Sequence, residues 1–341
     1  MLDLGILEFF KPVSWIFLDV VVLAMLFYLI SYVIKHEKHA TFIIYSIFAF
    51  VLYTGISENL GGVLRMHPYS PYRLLRIGEV SLTIPILESV LFFAAYLLVK
   101  NLVFPKWLSW SKPFIIGFVG SFPDYIIDIV MNADTYIYDG LAHAQWNWHW
   151  PDNLQQVYEK AFYGVPYYNY SGWYFFITYF AISFMVGMAI YKKTNFNKVL
   201  AHVLPLTFPF ASLFMMLLPT GGFALFGDFS TDYNITKELT MLVIWTLLAV
   251  MILVMARNVK QSFDYKKHMP VFVIPVVIEL SYIAVAVFRG FYDLLPVCLI
   301  VLMLHILYLA NIIRQSKKNK SVELHDNEPS MFIDMVNIKS N

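Results

Sequence analysis

Long apolar segments separated by short polar ones dominate the pattern of this sequence. A helix needs roughly 20 mostly apolar residues to cross the hydrocarbon core of a bilayer, and a series of segments approaches that length. The candidate spans are residues 13–34, 40–57, 81–103, 113–132, 172–191, 198–219, 239–256, 270–289 and 294–313. The pattern therefore predicts an all-α fold, a polytopic transmembrane helical bundle of about nine spans that forms one membrane-embedded domain over residues 1–313.

Two longer segments are too polar to lie in hydrocarbon. Residues 133–171 are rich in aromatic and acidic side chains, which predicts an external loop between the fourth and fifth spans. Residues 314–341 carry many charged side chains and are expected to form a mobile polar tail.

The basic residues predict an orientation. Lysines and arginines follow every odd-numbered span, as Lys35 and Lys38 do after the first and Lys192 and Lys193 after the fifth. Cytoplasmic loops carry an excess of such residues. The N-terminus is therefore expected outside the cell and the C-terminus inside it.

The loop between the second and third spans breaks this charge pattern. Arg65, Arg73 and Arg76 lie there, on the side that is expected to face outwards. They are expected to pair with nearby carboxylates or to bind lipid head groups. A miscounted span would also explain them.

Composition narrows the class of protein further. The chain is 59% hydrophobic and 14% charged, whereas soluble domains carry roughly 25% charged residues. Its net charge of +1 provides no basic field for nucleic acid, and it contains no glycine-rich nucleotide-binding motif. We therefore expect an integral membrane protein that has membrane lipids as partners and binds neither nucleic acid nor a nucleotide.

The most informative ionisable residues are two aspartates in the fourth span. Asp124 and Asp128 stand four residues apart, so on a helix they share one face, which Asn132 extends. Pro123 is expected to loosen the helix just before them. Two carboxyl groups that close in a low dielectric cannot both ionise easily, so the pair offers an acid beside a base. A polar stripe satisfied by other helices is the structural alternative.

Other carboxylates lie in or near apolar segments, where each ionisable group costs roughly 2.5–3.5 kcal/mol on insertion scales. Glu58 ends the second span, Glu88 lies in the third and Glu279 in the eighth. Each is interpreted either as a functional proton site or as a structural hydrogen-bonding partner. The spacing of histidines and acids in the external loop fits no standard zinc pattern, so no metal and no cofactor are expected.

The external loop and the start of the fifth span hold the most specific order of residues. Trp146 and Trp148 flank one asparagine, and a run of turn-forming and aromatic residues continues from Tyr163 to Trp173. Because glycine, proline and asparagine are so closely spaced there, the run predicts a fixed turn rather than a helix.

This order resembles the membrane-embedded carotenoid biosynthesis family that includes the bisanhydrobacterioruberin-type carotenoid hydratases. The resemblance covers roughly residues 50–176. A glutamate followed by glycines, an aspartate pair, a Trp-x-Trp loop and a Gly-x-Pro-x-x-Asn-x-x-Gly-Trp run carry it. The matching residues are Glu58, Gly61, Gly62, Asp124, Asp128, Trp146, Trp148, Gly164, Pro166, Asn169, Gly172 and Trp173.

The resemblance implies an enzyme of a prokaryotic cell membrane that hydrates a C=C bond of a carotenoid or related isoprenoid lipid, that is, a hydro-lyase with a hydrophobic, lipid-like substrate. Asp124, Asp128 and Glu58 are the candidate catalytic residues. The candidate substrate-binding residues are Trp146, Trp148, Tyr163, Pro166, Asn169, Trp173 and Glu88.

Two other functions remain open at this point. Carboxylates in several spans suit a transporter or binding protein for a small solute or proton equally well. An Asp-x-x-x-Asp pair can also hold Mg²⁺ with a diphosphate, as a prenyltransferase requires.

Overall fold

The computed structural model describes residues 10–63, 69–73, 75–146, 162–217, 235–256, 258–259 and 268–318. Ten α-helices, one 3₁₀ helix over Lys106–Ser111 and six short strands make up this part of the chain. The helices are α1 (Val13–His36), α2 (Ala40–Val63), α3 (Thr83–Lys100), α4 (Lys112–Ser121), α5 (Asp124–Ala133), α6 (Tyr167–Lys193), α7 (Lys198–Leu217), α8 (Ile235–Met255), α9 (Pro270–Arg289) and α10 (Leu295–Lys318). The strands are β1 (Arg76–Ile77), β2 (Val80–Ser81), β3 (Leu102–Val103), β4 (Tyr136–Tyr138), β5 (Leu141–His143) and β6 (Asn258–Val259).

The predicted all-α bundle is confirmed. Within the described ranges, nine helical segments are long and apolar enough to cross a membrane, and each matches one of the predicted spans. The fourth is composite, because the 3₁₀ helix, α4 and α5 follow one another over Lys106–Ala133. Such a set of helices is compatible with an integral membrane protein.

Burial divides the bundle into central and peripheral helices. In α3, 89% of the residues of the apolar stretch are buried within the protein, whereas in α8 only 11% are. The helix α4 packs closely against α3 and α6, and α2 packs against α3 and α7. Aromatic side chains fill the space between these helices; Phe50, for example, stacks on Phe92 at 4.8 Å and meets Phe180 edge-on at 4.7 Å. The central helices therefore hold each other through rings, while α8 leaves most of its surface for lipid.

Contacts join neighbouring loops at one end of the bundle. Lys100, at the end of α3, lies 2.9 Å from Glu37, which follows α1. Strand β3, just after α3, pairs with β6, which follows α8. The described parts of the segments after the first, third and seventh spans therefore lie at the same end, as an alternating path of spans requires.

At the other end, two arginines hold loops to the first helix and the fourth span. Arg73 pairs with Asp19 of α1 and is 4% exposed. Arg289, at the end of α9, lies 2.7 Å from Asp134, which follows α5. The Ser14 hydroxyl donates a hydrogen bond to the same aspartate.

Two of the three arginines that broke the charge pattern are explained by carboxylate pairing. Besides its pair with Asp19, Arg73 donates hydrogen bonds to Gln145 and to Thr83. Arg76 lies 3.2 Å from Glu79 across the turn between β1 and β2. The remaining one, Arg65, lies outside the described residues. Since the number of spans is as predicted, a miscounted span is not needed.

Candidate functional site

A break in the fourth span positions the aspartate pair. The helix α4 ends at Ser121, Pro123 precedes α5, and Asp124 is the first residue of α5. The Pro123 carbonyl accepts the first bonds of the new helix, from the amides of Ile126 and Ile127 at 2.9 and 3.1 Å. The predicted loosening before the pair is therefore confirmed.

Asp124 and Asp128 face the same cavity from successive turns of α5. Two carboxyl groups on one buried face do not both ionise easily. The side-chain amide of Asn169, in the first turn of α6, donates to Asp124 Oδ2 at 3.2 Å and also to Asp128 Oδ2. One amide group therefore holds both acids in position.

Glu58 approaches the cavity from α2 and is 7% exposed. The hydroxyl of Tyr69, in the loop that follows α2, donates a hydrogen bond to its Oε2 atom. Burial and the neighbouring Glu58 carboxylate hold the pKa of the Tyr69 hydroxyl well above its usual value. Tyr69 therefore stays protonated near neutral pH and remains a hydrogen-bond donor to the carboxylate.

Glu88 reaches the cavity from α3, one turn after Pro85. The Oε2 atom of Glu88 is buried and has no hydrogen-bond partner among the described residues. A buried carboxyl oxygen without a partner costs free energy, so this atom is a candidate ligand-binding group of the cavity.

The cavity that these residues share lies between α2, α3, the α4–α5 break and α6. Four carboxyl groups line it, those of Glu58, Glu88, Asp124 and Asp128. Its volume is about 50 Å³, and a single water molecule needs roughly 10–15 Å³ on this measure. The space therefore suits a few water molecules. The other lining side chains are Tyr69, Ile84, Leu87, Leu91, Ser121, Ile127, Trp146, Trp173 and Ile177.

The aromatic residues predicted to bind substrate divide into two groups. Trp146 and Trp173 line the cavity, and Trp146 also pairs through its backbone with Tyr69. Tyr163 and Pro166 are not part of the lining; Tyr163 is 41% exposed, and Pro166 caps the start of α6. Trp148 lies outside the described residues.

The run from Tyr163 to Trp173 is a turn only in its first part. Tyr163 and Gly164 both have positive φ, and Phe162 and Val165 exchange two backbone hydrogen bonds across them. From Tyr167 onwards the chain is helical, so the prediction of a turn throughout was wrong. Pro166 fixes the backbone at the point where a helix can begin, and the following asparagine then lies in the first turn of that helix.

Asn132 does not extend the aspartate stripe into the cavity. Its amide group donates to the Tyr163 carbonyl at 3.3 Å. A Cβ atom at Gly164 would lie 2.8 Å from the same amide. The asparagine therefore holds the turn before α6, and the glycine leaves room for it.

Two polar residues of the cavity, Tyr69 and Ser121, were not among the predicted site residues. Tyr69 lies in a segment of turn-forming residues, and nothing in its spacing indicates a contact with Glu58. Ser121 ends α4 beside the aspartates, and its place just before Pro123 was the one signal available. Among the described residues, no three His, Cys, Asp or Glu side chains are grouped so as to hold a metal ion.

Comparison of the chain with protein-family models, curated protein sequences and solved structures gave no match. The chemistry of the cavity therefore has to be inferred from the residues that line it.

Proposed function

We propose that the protein is a membrane-embedded acid–base enzyme that adds water to a C=C bond at the end of a long-chain isoprenoid lipid. One observation carries the proposal: four carboxyl groups and two indole rings line one small cavity whose remaining walls are mostly aliphatic. The resemblance to carotenoid hydratases over residues 50–176 points to the same reaction.

The hydration of a trisubstituted alkene begins with transfer of a proton to carbon, which leaves a tertiary carbocation. One of Asp124 and Asp128, in its protonated form, is the candidate acid, and Asn169 keeps the two carboxyl groups together. The faces of Trp146 and Trp173 are suited to stabilise the cation, because aromatic rings attract positive charge. Water then forms the C–O bond.

The proton that the attacking water loses has to reach a carboxylate. Glu58 is the candidate base, and Tyr69 orients it through the bond to Oε2. Proton transfer between the carboxyl groups of the cavity then restores the starting state, so the cycle consumes one alkene and one water. The cavity has room for water and not for an isoprenoid end, so substrate binding requires the lining side chains to move.

The membrane setting forms part of the same proposal. We infer that the lysine-rich end of the bundle faces the cytoplasm of a prokaryotic cell and that the carboxyl cavity lies nearer the outer face. A hydrophobic substrate would reach the cavity from the bilayer.

A second candidate is a carrier for a proton or a small solute. The small volume of the carboxyl cavity favours this function, since it fits water-sized species as it stands. Flux into vesicles that contain the purified protein separates a carrier from an enzyme. Dependence on added Mg²⁺ would single out the third alternative, a prenyltransferase.

The experiment uses bacterial cells that produce the acyclic carotenoid lycopene. The chain, an Asp124→Asn/Asp128→Asn variant and a Glu79→Gln control are expressed, and extracted isoprenoids are analysed by mass spectrometry. Glu79 is a suitable control because it is an exposed carboxylate away from the cavity. A gain of one water in the first and third samples, lost in the second, supports the proposal. No change in any isoprenoid, despite good membrane expression, would remove it in favour of a carrier.

A further inference from the structure

A second, larger cavity lies between α4, α8 and α10. Its volume is about 470 Å³, within the range of roughly 300–1,000 Å³ that is typical of small-molecule sites. It shares no lining residue with the carboxyl cavity. Its walls are mostly apolar and include Phe118 of α4, Phe122 just after α4, Val254 of α8 and Ile312 of α10.

Among the described residues, His305, near the middle of α10, is the one basic or acidic side chain that lines this cavity. Its Nδ1 atom lies 2.6 Å from Oε1 of Glu279 on α9. Both residues are buried, at 4% and 0% exposure. Ionisable groups inside a bilayer are rare and usually functional, and the proposed hydration does not use this pair.

The pair leaves the other ring nitrogen available to a ligand. No described residue forms a hydrogen bond with Nε2 of His305, whereas Nδ1 is held by the carboxyl group. If the imidazole donates to Glu279, Nε2 is an acceptor; if a protonated Glu279 donates, Nε2 carries the hydrogen. A ligand hydroxyl group can form a hydrogen bond with Nε2 in either case, because it both donates and accepts. A ligand carbonyl group can do so only when Nε2 carries the hydrogen.

The rest of the cavity suits a hydrocarbon chain. Tyr308, about one helical turn after His305, adds a hydroxyl group to the lining, and Asn311 lies about 9 Å from His305 along the helix axis at 1.5 Å per residue. Apolar side chains from α4 and α8 flank this stretch, and ten of the fourteen lining residues are apolar. The helix α8, which forms one wall, is mostly unburied by protein. A chain from the lipid phase therefore fits better than water.

We propose that this cavity binds a long-chain lipid alcohol, with the hydroxyl group on His305 Nε2 and the chain against Phe118, Phe122 and Val254. A charged head group would be far more costly at the same depth. The proposal stands apart from the hydration reaction, because the two cavities have different linings.

The test uses the purified full chain in lipid vesicles and two photoreactive probes. One is phytol with a diazirine in its chain, and the other is the matching hydrocarbon without the hydroxyl group. Cross-linked peptides are identified by mass spectrometry. The alcohol is expected to label α8 and α10 at the cavity, unlabelled phytol is expected to compete, and the hydrocarbon should label about three- to tenfold less, the value of one net hydrogen bond.

Three variants sharpen the result. His305→Phe keeps the ring and should lower alcohol labelling to the level of the hydrocarbon. Val119→Trp fills the cavity from α4 and should abolish labelling by both probes. Leu307→Trp is the control, because this residue is 62% exposed on the outer surface of α10, and it should label like the wild type. Equal labelling of the wild-type protein by the two probes would by itself overturn the proposal. Labelling that survives Val119→Trp would also overturn it.

Discussion

Replacing Arg73 with methionine should be among the most destabilising single changes in the loops. The guanidinium is 4% exposed, and the side chain of its partner Asp19 is 14% exposed. Methionine keeps most of the aliphatic length but leaves the aspartate charge buried without its partner. Breaking a buried ion pair in this way costs about 3–5 kcal/mol. The loss of the bonds to Gln145 and Thr83 is included in that figure.

The same loop provides a matched control. Arg76 forms its ion pair with Glu79, whose side chain is 61% exposed, and exposed pairs contribute about 0–1 kcal/mol. Arg76→Met should therefore cost less than about 1 kcal/mol. The free energies of unfolding are compared by reversible SDS titration in mixed micelles, with helix content followed by circular dichroism.

A double-mutant cycle identifies the physical cause. Asp19→Leu combined with Arg73→Met removes both charges, and it should be clearly less destabilising than the sum of the two single changes. Additive losses would refute the reasoning, because they would mean that the two charges do not interact. Equal losses for Arg73→Met and Arg76→Met would refute it as well.

Three further predictions concern the site, the packing and the orientation. Tyr69→Phe removes the hydrogen-bond donor to Glu58, the proposed base, and should lower turnover about tenfold or more, with little change in stability. Turnover in lycopene-producing cells measures the effect. Gly117→Val should lower the free energy of unfolding by about 1–3 kcal/mol or more, because a Cβ atom there would lie 2.1 Å from a threonine hydroxyl of α6. Gly172→Ala is the control, because a Cβ atom at that position meets nothing within 4 Å. SDS titration compares the stabilities of the two variants. With the native cysteine removed, Gly140→Cys should react with an impermeant thiol reagent added outside intact cells, and Lys193→Cys only after lysis.

Each of these has a contradicting result. Unchanged turnover in Tyr69→Phe would mean that Glu58 needs no donor. Equal stabilities of the Gly117 and Gly172 variants would contradict the close contact of α4 with α6. If Lys193→Cys reacted with the impermeant reagent in intact cells, the predicted orientation would be wrong.

The apolar pattern was sufficient to predict the helices, because a span has to be long and apolar whatever surrounds it. It also placed Asp124 and Asp128 on one face, since the i, i+4 relation is local to the chain. Pro123 was a local signal too, and the break it predicts lies where expected. The start of α6 was misjudged by several residues, because a proline next to an asparagine and a glycine indicates a turn as well as a helix start.

The partners of the buried charges could not be predicted, because they depend on how distant helices pack. His305 and Glu279 are lone polar residues in the sequence, and they form a pair only because α9 and α10 are neighbours. The carboxyl cavity likewise combines Glu58 and Glu88 with the aspartates through the packing of three elements. Sequence reasoning supplied these acids as separate candidates, and Tyr69 carried no signal in its own segment.

The pairing of β3 with β6 bears on the order in which the protein assembles during synthesis. All residues that line the carboxyl cavity lie between Glu58 and Ile177, so the cavity can close while the last four spans are still being made. Strand β6 leaves the ribosome much later than β3, at a synthesis rate of about 5–20 residues per second. The later spans can then dock onto the helices that line the cavity, and the two-residue pairing joins the segment after α8 to the end of α3.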